Sequence, residues 1–195
     1  MDPPRTRDSL ARRPMNLPAR WYSKWLRAIC PADAIDWAAL SHLVLEKTAA
    51  AGVVLNGYSL TKSDKVQRDY AKLTIRSRRI ADAIRDQTIS GLEYAVIPRD
   101  HLTVVQDAPF SVRMSHKDDI FDLICDTMPA VYGTEVAEGL VGAVAHAFPR
   151  RRLLTYLTAA GGLPMNIAMN YDRSPGFLKR FSDLYQVVDV DGTVA

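Results

Sequence analysis

The sequence is poor in the features that would commit it to an obvious class. Two cysteines in 195 residues, Cys30 and Cys125, can build neither a disulfide scaffold nor a tetrahedral zinc site by themselves. No apolar run reaches the ~20 residues needed to cross a bilayer. The longest candidate, Thr134 to Phe148, carries Glu135, Glu138 and His146. The basic, proline-punctuated start has no apolar stretch behind it, so no export segment is expected. Gly-x-Ser-x-Gly, a Walker-type loop and a dinucleotide fingerprint are all missing. Eleven prolines and ten glycines punctuate the chain without making it low in complexity. With 48% hydrophobic and 24% charged residues it can fill a core, which excludes a disordered tail or a collagenous repeat.

What the chain does have is segregated charge. Residues 1–27 carry seven cations against Asp2 and Asp8, and residues 62–85 carry eight against Asp64, Asp69 and Asp82, whereas the whole chain is only +3. Everything outside those two segments is therefore net acidic. A chain laid out this way implies a positive face and phosphate-bearing partners, either nucleic acid or an anionic membrane surface.

Periodicity predicts helices along most of the chain. Residues 1–19, with Pro3, Pro4, Pro14 and Pro18, read as an extended basic arm. Trp21, Trp25 and Ile29 with Leu26 recur at three and four up to Pro31, and a second helix, capped by Asp33, runs from Ile35 to Gly52. A third is placed from Lys62 to Arg85. Around residues 92–114, Leu92, Tyr94 and Val96, then Phe110, Val112 and Met114, alternate at period two, which predicts at most a small hairpin. Ser115, followed by Asp118 and Asp119, reads as the capped start of a helix carrying Ile120, Phe121, Ile124 and Met128. Further helices are expected from Thr134 to Phe148, over Leu153 to Leu157 before Gly161-Gly162, and from the Ser174-Pro175 start signal through Tyr185. Gly139, Gly142, Ala143 and Ala145 suggest a close approach by a neighbouring helix. The expected fold class is thus mainly α: helical bundles in two lobes, residues 1–149 and 150–195, with a short extended or hairpin insertion around residues 92–114.

The candidate binding residues lie on the third expected helix. Lys65, Arg68, Lys72, Arg76 and Arg79 are spaced three, four, four and three, which on a helix gathers them within about an 80° sector, with Val66, Tyr70, Leu73, Ile80 and Ile84 on another. Lys62 and Arg78 are added as candidate binding residues for an anionic membrane or ribonucleoprotein. Five basic residues near an anionic bilayer contribute roughly 5 kcal/mol, weak for a single copy and firm for an array.

Catalytic constellations are thin. Asp189-Val190-Asp191-Gly192-Thr193 matches the nucleophile motif of haloacid-dehalogenase-like phosphatases, but that motif needs a whole domain after it and only Val194 and Ala195 follow. His42 and His146 have no partner at ligand spacing, and His116 to Asp119 read as a helix start. No catalytic residue, no metal site and no cofactor is expected, and the chain is not read as an enzyme.

The stretch Thr134-Glu135-Val136-Ala137-Glu138-Gly139-Leu140-Val141-Gly142-Ala143 resembles the Thr-Glu-Val-Ala-x-Gly-Leu-Val-x-Ala of influenza matrix protein. Upstream, Tyr70-Ala71-Lys72-Leu73 resembles the Tyr-Arg-Lys-Leu that opens that family's basic helix. The matches cover about a fifth of the chain. The resemblance is to the orthomyxovirus matrix proteins, most like the infectious salmon anaemia virus (isavirus) branch. It implies an all-helical structural protein that self-assembles into a layer beneath the viral envelope. The implied partners are further copies of itself, anionic phospholipid membrane, the viral ribonucleoprotein or RNA, and the cytoplasmic tails of envelope glycoproteins. The implied location is the virion and, in the host cell, the cytoplasm, the inner face of the plasma membrane and the nucleus. Gly142 and Ala145 stand where influenza has two cysteines, so its zinc ligands are not carried over. The alternative reading is a helical nucleic-acid-binding regulator with no membrane role.

Overall fold

A computed structural model of the chain describes residues 19–62, 65–66, 71–73, 78–98, 108–171 and 175–192. The arm at residues 1–18, Arg68, Tyr70, Arg76 and Ser174 lie outside them. The architecture is a nine-stranded, wholly antiparallel sheet with helices on both faces, not a mainly α bundle. The strands are β1 (Ala19–Ile29), β2 (Gly57–Lys62), β3 (Lys65–Val66), β4 (Ala71–Lys72), β5 (Ile89–Ala95), β6 (Phe110–Lys117), β7 (Ile120–Thr127), β8 (Arg151–Ala159) and β9 (Tyr185–Asp191). Their order is β3-β2-β5-β6-β7-β1-β8-β9, with β4 also paired to β2. The helices are α1 (Trp37–Ala50), α2 (Arg78–Arg85), α3 (Thr134–Ala145), α4 (Pro164–Asn170) and α5 (Pro175–Arg180). β8 and β9, from the segment expected to form a second lobe, continue the same sheet as β1.

Three expected helices are strands, for one physical reason. In β1, Trp21 is 4% exposed and Trp25, Leu26 and Ala28 are fully buried. A strand covered on both faces shows no polar and apolar alternation, and a spacing of four is compatible with period 2 as well as with 3.6. Trp21 and Trp25 share a face because both are even steps along a strand. The same ambiguity turned β7, with Phe121, Leu123, Ile124 and Cys125 buried, and β8, with Leu154 and Tyr156 buried, into apparent helices. Asp118 and Asp119 do not open a helix. They are the two central residues of the turn closed by Lys117 and Ile120, with φ of 53° and 59°. Positive φ at both positions is what a tight hairpin of this hand requires, and aspartate tolerates it.

The helix expected from Lys62 to Arg85 is also absent as such. Gly57 to Lys62 pair with β5, and among the described residues of this segment Arg78–Arg85 are helical. Tyr58 and Leu60 alternate into the core, and pairing with β5 takes the start of the segment into the sheet. Where helices do form, local signals agree. The carboxylate of Asp36, rather than Asp33, accepts the Ala39 N–H at 2.9 Å and caps α1. α3 starts at Thr134 and buries Ala137, Leu140, Val141 and Val144. A Cβ at Gly139 or Gly142 would meet nothing within 4 Å, so among the described residues none makes the close approach that these glycines suggested.

α1 and α3 cover one face of the sheet, where Leu26, Leu92, Tyr94, Met114, Phe121 and Leu123 join the helical side chains in the main core. Phe121 stacks on Phe148 with ring centroids 4.7 Å apart, and the Tyr94 and Ser41 hydroxyls, both buried, lie 2.6 Å apart between sheet and α1. Lys24 reaches Glu138 of α3 at 2.9 Å, and the Tyr22 hydroxyl donates to the same carboxylate. The second face carries a smaller cluster of Trp25, Ile124, Leu154, Tyr156 and Val187, under Ile167 and Ala168 of α4.

Candidate functional site

Two places could work on a partner. The first holds the residues singled out by charge. Lys62 ends β2 and is exposed, Lys65 lies on β3, Lys72 is exposed on β4, and Arg78 and Arg79 are exposed at the start of α2. Lys62 and Lys65 are direct cross-strand partners, a like-charge placement that costs stability unless something negative relieves it. They do not form one stripe on one helix, as the spacing predicted: Lys62, Lys65 and Lys72 lie on β2, β3 and β4 at one end of the strand order, and Arg78 and Arg79 lie on α2. Arg85 is held by Asp82 and Asp86 at 2.8 and 3.3 Å. No described residue pairs with Lys62, Lys72, Arg78 or Arg79. Of the other basic segment, Lys24 and Arg27 are described and paired: Lys24 is held by Glu138, and Arg27 bonds both oxygens of Asp122 at 2.8 and 2.9 Å.

The second place was missed from sequence. On the second face of the sheet, Arg113 of β6 grips Glu93 of β5, with Nε at 2.9 Å and Nη2 at 2.7 Å from Oε2. Its Nη1 lies 3.1 Å from the sulfur of Met165 in α4. One register step along, Asp126 of β7 sits between Ser23 of β1 and Ser111 of β6, its direct cross-strand neighbours, and accepts from the Ser23 hydroxyl at 2.6 Å. Tyr156 of β8, opposite Ser23, buries its hydroxyl beside this pair without a hydrogen bond of good geometry. Burial pushes the Asp126 carboxyl up to about 6, and the neighbouring Glu93 adds to this; Ser23, Arg113 and Ser111 oppose it. Burial also raises the Tyr156 phenol well above its ordinary range, with Asp126 reinforcing it. Clefts open on both sides of the Arg113–Met165 contact. One, of about 120 Å³, is lined by Trp21, Ala108, Leu163 and Met165 around Ser111 and Asp126. The other, of about 340 Å³, is bordered by Trp25, Arg27, Lys117 and Asp122.

The sequence carried one signal for this site. Glu93 is the one charged residue of β5, Arg113 lies between Val112 and Met114 in β6, and Asp126 follows Leu123-Ile124-Cys125 in β7. They mark a polar second face once the register is known.

Asp126 has a consequence for stability. Its carboxyl binds a proton more tightly in the fold than at its ordinary value of 3.8, so this group makes the protein more stable as pH falls through 6. Urea unfolding is expected to show a gain of about 1 kcal/mol from this group between pH 7 and pH 5, and Asp126→Asn should remove that part of the pH dependence.

Among the described residues no group of three or more His, Cys, Asp or Glu is placed to hold a metal ion, and no helix is long and apolar enough to cross a membrane. Fold and site together define an antiparallel-sheet protein with helices on both faces, a basic end and a polar cleft. No family model, curated protein or solved structure matches the chain.

Proposed function

We propose that this chain is a binding protein, not an enzyme, that meets an anionic phospholipid surface through the basic end of its sheet. The observation that carries the reading is that Lys62 of β2 and Lys72 of β4, at one end of the strand order, and Arg78 and Arg79 at the start of α2 are all exposed and have no acidic partner among the described residues, with Lys65 across from Lys62 on β3. At roughly 1 kcal/mol for each cation near such a surface, a single copy binds weakly and reversibly, and several copies on one membrane hold firmly.

The layer-forming role beneath a viral envelope is the specific form implied by the match at Thr134 to Ala143. That stretch is α3, whose matching positions Ala137, Leu140 and Val141 are packed on the sheet, as any helix in this place requires. The all-helical fold implied by the same match is not the fold of this chain, so the proposal stops at the membrane surface.

Co-sedimentation with vesicles of phosphatidylserine and phosphatidylcholine tests it. Binding should appear with the anionic lipid only, fall on raising salt, and drop at least tenfold in the triple variant K72E/R78E/R79E, since about 3 kcal/mol of attraction is lost. Protein that stays in the supernatant at low salt overturns the reading. Retention on RNA in place of vesicles assigns the same cations to nucleic acid.

A further inference from the structure

The basic end makes no use of the smaller cleft on the second face, which has a chemistry of its own. Its walls are apolar: the Trp21 ring, Ala108, Leu163, Pro164 and the Met165 side chain. Its floor is charged. Arg113 and Glu93 neutralise one another through three contacts of 2.7–2.9 Å, which leaves Asp126 as the charge in excess. Around Asp126 the described facing groups are Ser23 from β1, Ser111 from β6, Tyr156 from β8, and the Glu93–Arg113 pair from β5 and β6. α4, which roofs the cleft, carries no charged residue. A cluster whose described groups sum to −1, beside an apolar-walled cleft, favours one positive charge. At about 120 Å³ the space is comparable to the cavity of about 150 Å³ that accepts benzene, so it suits a few carbon atoms and no more. Leu163, 36% exposed, stands at the rim and leaves a way in.

We infer that this cleft binds a small alkylammonium group, with the cation on the Asp126 carboxylate beside Ser111 and the alkyl stem between Trp21, Leu163 and Met165. An anion is excluded because it would face Asp126. A neutral alcohol of the same shape gains only the apolar walls. The site takes the ligand in its ionised form and is closed to it when Asp126 is protonated, so binding weakens in acid. The proposal stands apart from the membrane reading: the residues of the basic end are in neither wall nor floor.

The test uses n-butylammonium as probe, with butan-1-ol and butyrate as isosteric controls, read by Trp fluorescence and by amide chemical shifts of Ser111 and Asp126. The amine should bind, and the alcohol and acid should bind at least tenfold more weakly. Amine affinity should fall about tenfold from pH 7 to pH 5, following ionisation of a carboxyl near 6. Asp126→Asn should abolish binding. Leu163→Trp, which plugs the rim and leaves every charge in place, should do so too, which separates loss of the site from loss of the fold. A free amine and a lysine side chain share this chemistry. A blocked Ala-Lys-Ala peptide that binds as tightly as butylammonium assigns the site to a partner's lysine, and binding of the amine alone assigns it to a free small molecule. Equal binding of all three isosteres, no binding of the amine, or unchanged affinity in both variants overturns the inference.

Discussion

Replacing Trp25 by alanine is expected to destabilise the protein by about 3–5 kcal/mol, a large share of the roughly 5–15 kcal/mol that holds an ordinary domain together. Trp25 is fully buried near the middle of β1, the strand that joins the two halves of the sheet by pairing with both β7 and β8. Its ring fills the second-face cluster with Ile124, Leu154 and Ile167, so truncation leaves a cavity that strands on either side cannot collapse into without losing register. The ring also has a polar role. Its Nε1–H donates to Asp122 at 3.0 Å, and the guanidinium of Arg27, held by the same carboxylate, lies 4.6 Å from the ring centroid. Trp25→Phe keeps much of the volume and loses the hydrogen bond, so it should cost distinctly less. Urea denaturation followed by far-UV circular dichroism gives both values; a loss under 1 kcal/mol for Trp25→Ala would mean that the second face is not a packed core.

The second large effect is expected at Arg113. Arg113→Met strands the Glu93 carboxylate, only 10% exposed, next to the Asp126 carboxylate on the same face. Breaking a buried pair by removing one partner typically costs 3–5 kcal/mol. Because the arginine side chain is 30% exposed, about 3 kcal/mol is expected here. The double variant Glu93→Leu/Arg113→Met removes both charges and should recover most of that loss. A double-mutant cycle therefore reads a coupling of about 2 kcal/mol or more between these residues. Additive losses would show that the pair is a solvated surface contact. In that case the charge balance argued for the adjoining cleft would lose its footing as well.

The same two strands show how far the sequence could be read. Glu93 between Leu92 and Tyr94, and Arg113 between Val112 and Met114, were visible as alternation, and β5 and β6 do pair, Leu92 with Met114. Nothing in either segment says that Glu93 lies opposite Arg113, or that Asp126, thirteen residues further on, lies between Ser111 and Ser23. The Asp118-Asp119 turn sets Ser111 opposite Asp126, but Ser23 of β1 and Glu93 of β5 come from distant parts of the chain, and their register is a long-range property. The basic run at residues 62–85 failed in the other direction. Its spacing of three and four suited a helix, yet pairing of Gly57 to Lys62 with β5 placed its start in the sheet. Lys65 and Lys72, expected on one helix, lie on strands β3 and β4, and Arg68 and Arg76 fall outside the described residues.

By itself the sequence determined what depends on neighbours along the chain: the start of α3 at Thr134, the alternating segments that become β5 and β6, the lack of a membrane-crossing run, and the crowding of cations into residues 62–85. Only the tertiary structure decided that β1, β7 and β8 are strands, that Asp118 and Asp119 turn a hairpin, and that Glu93, Arg113 and Asp126 meet. A segment buried on both sides carries no periodic mark to distinguish helix from strand, so which one it becomes is set by the partners that satisfy its backbone hydrogen bonds.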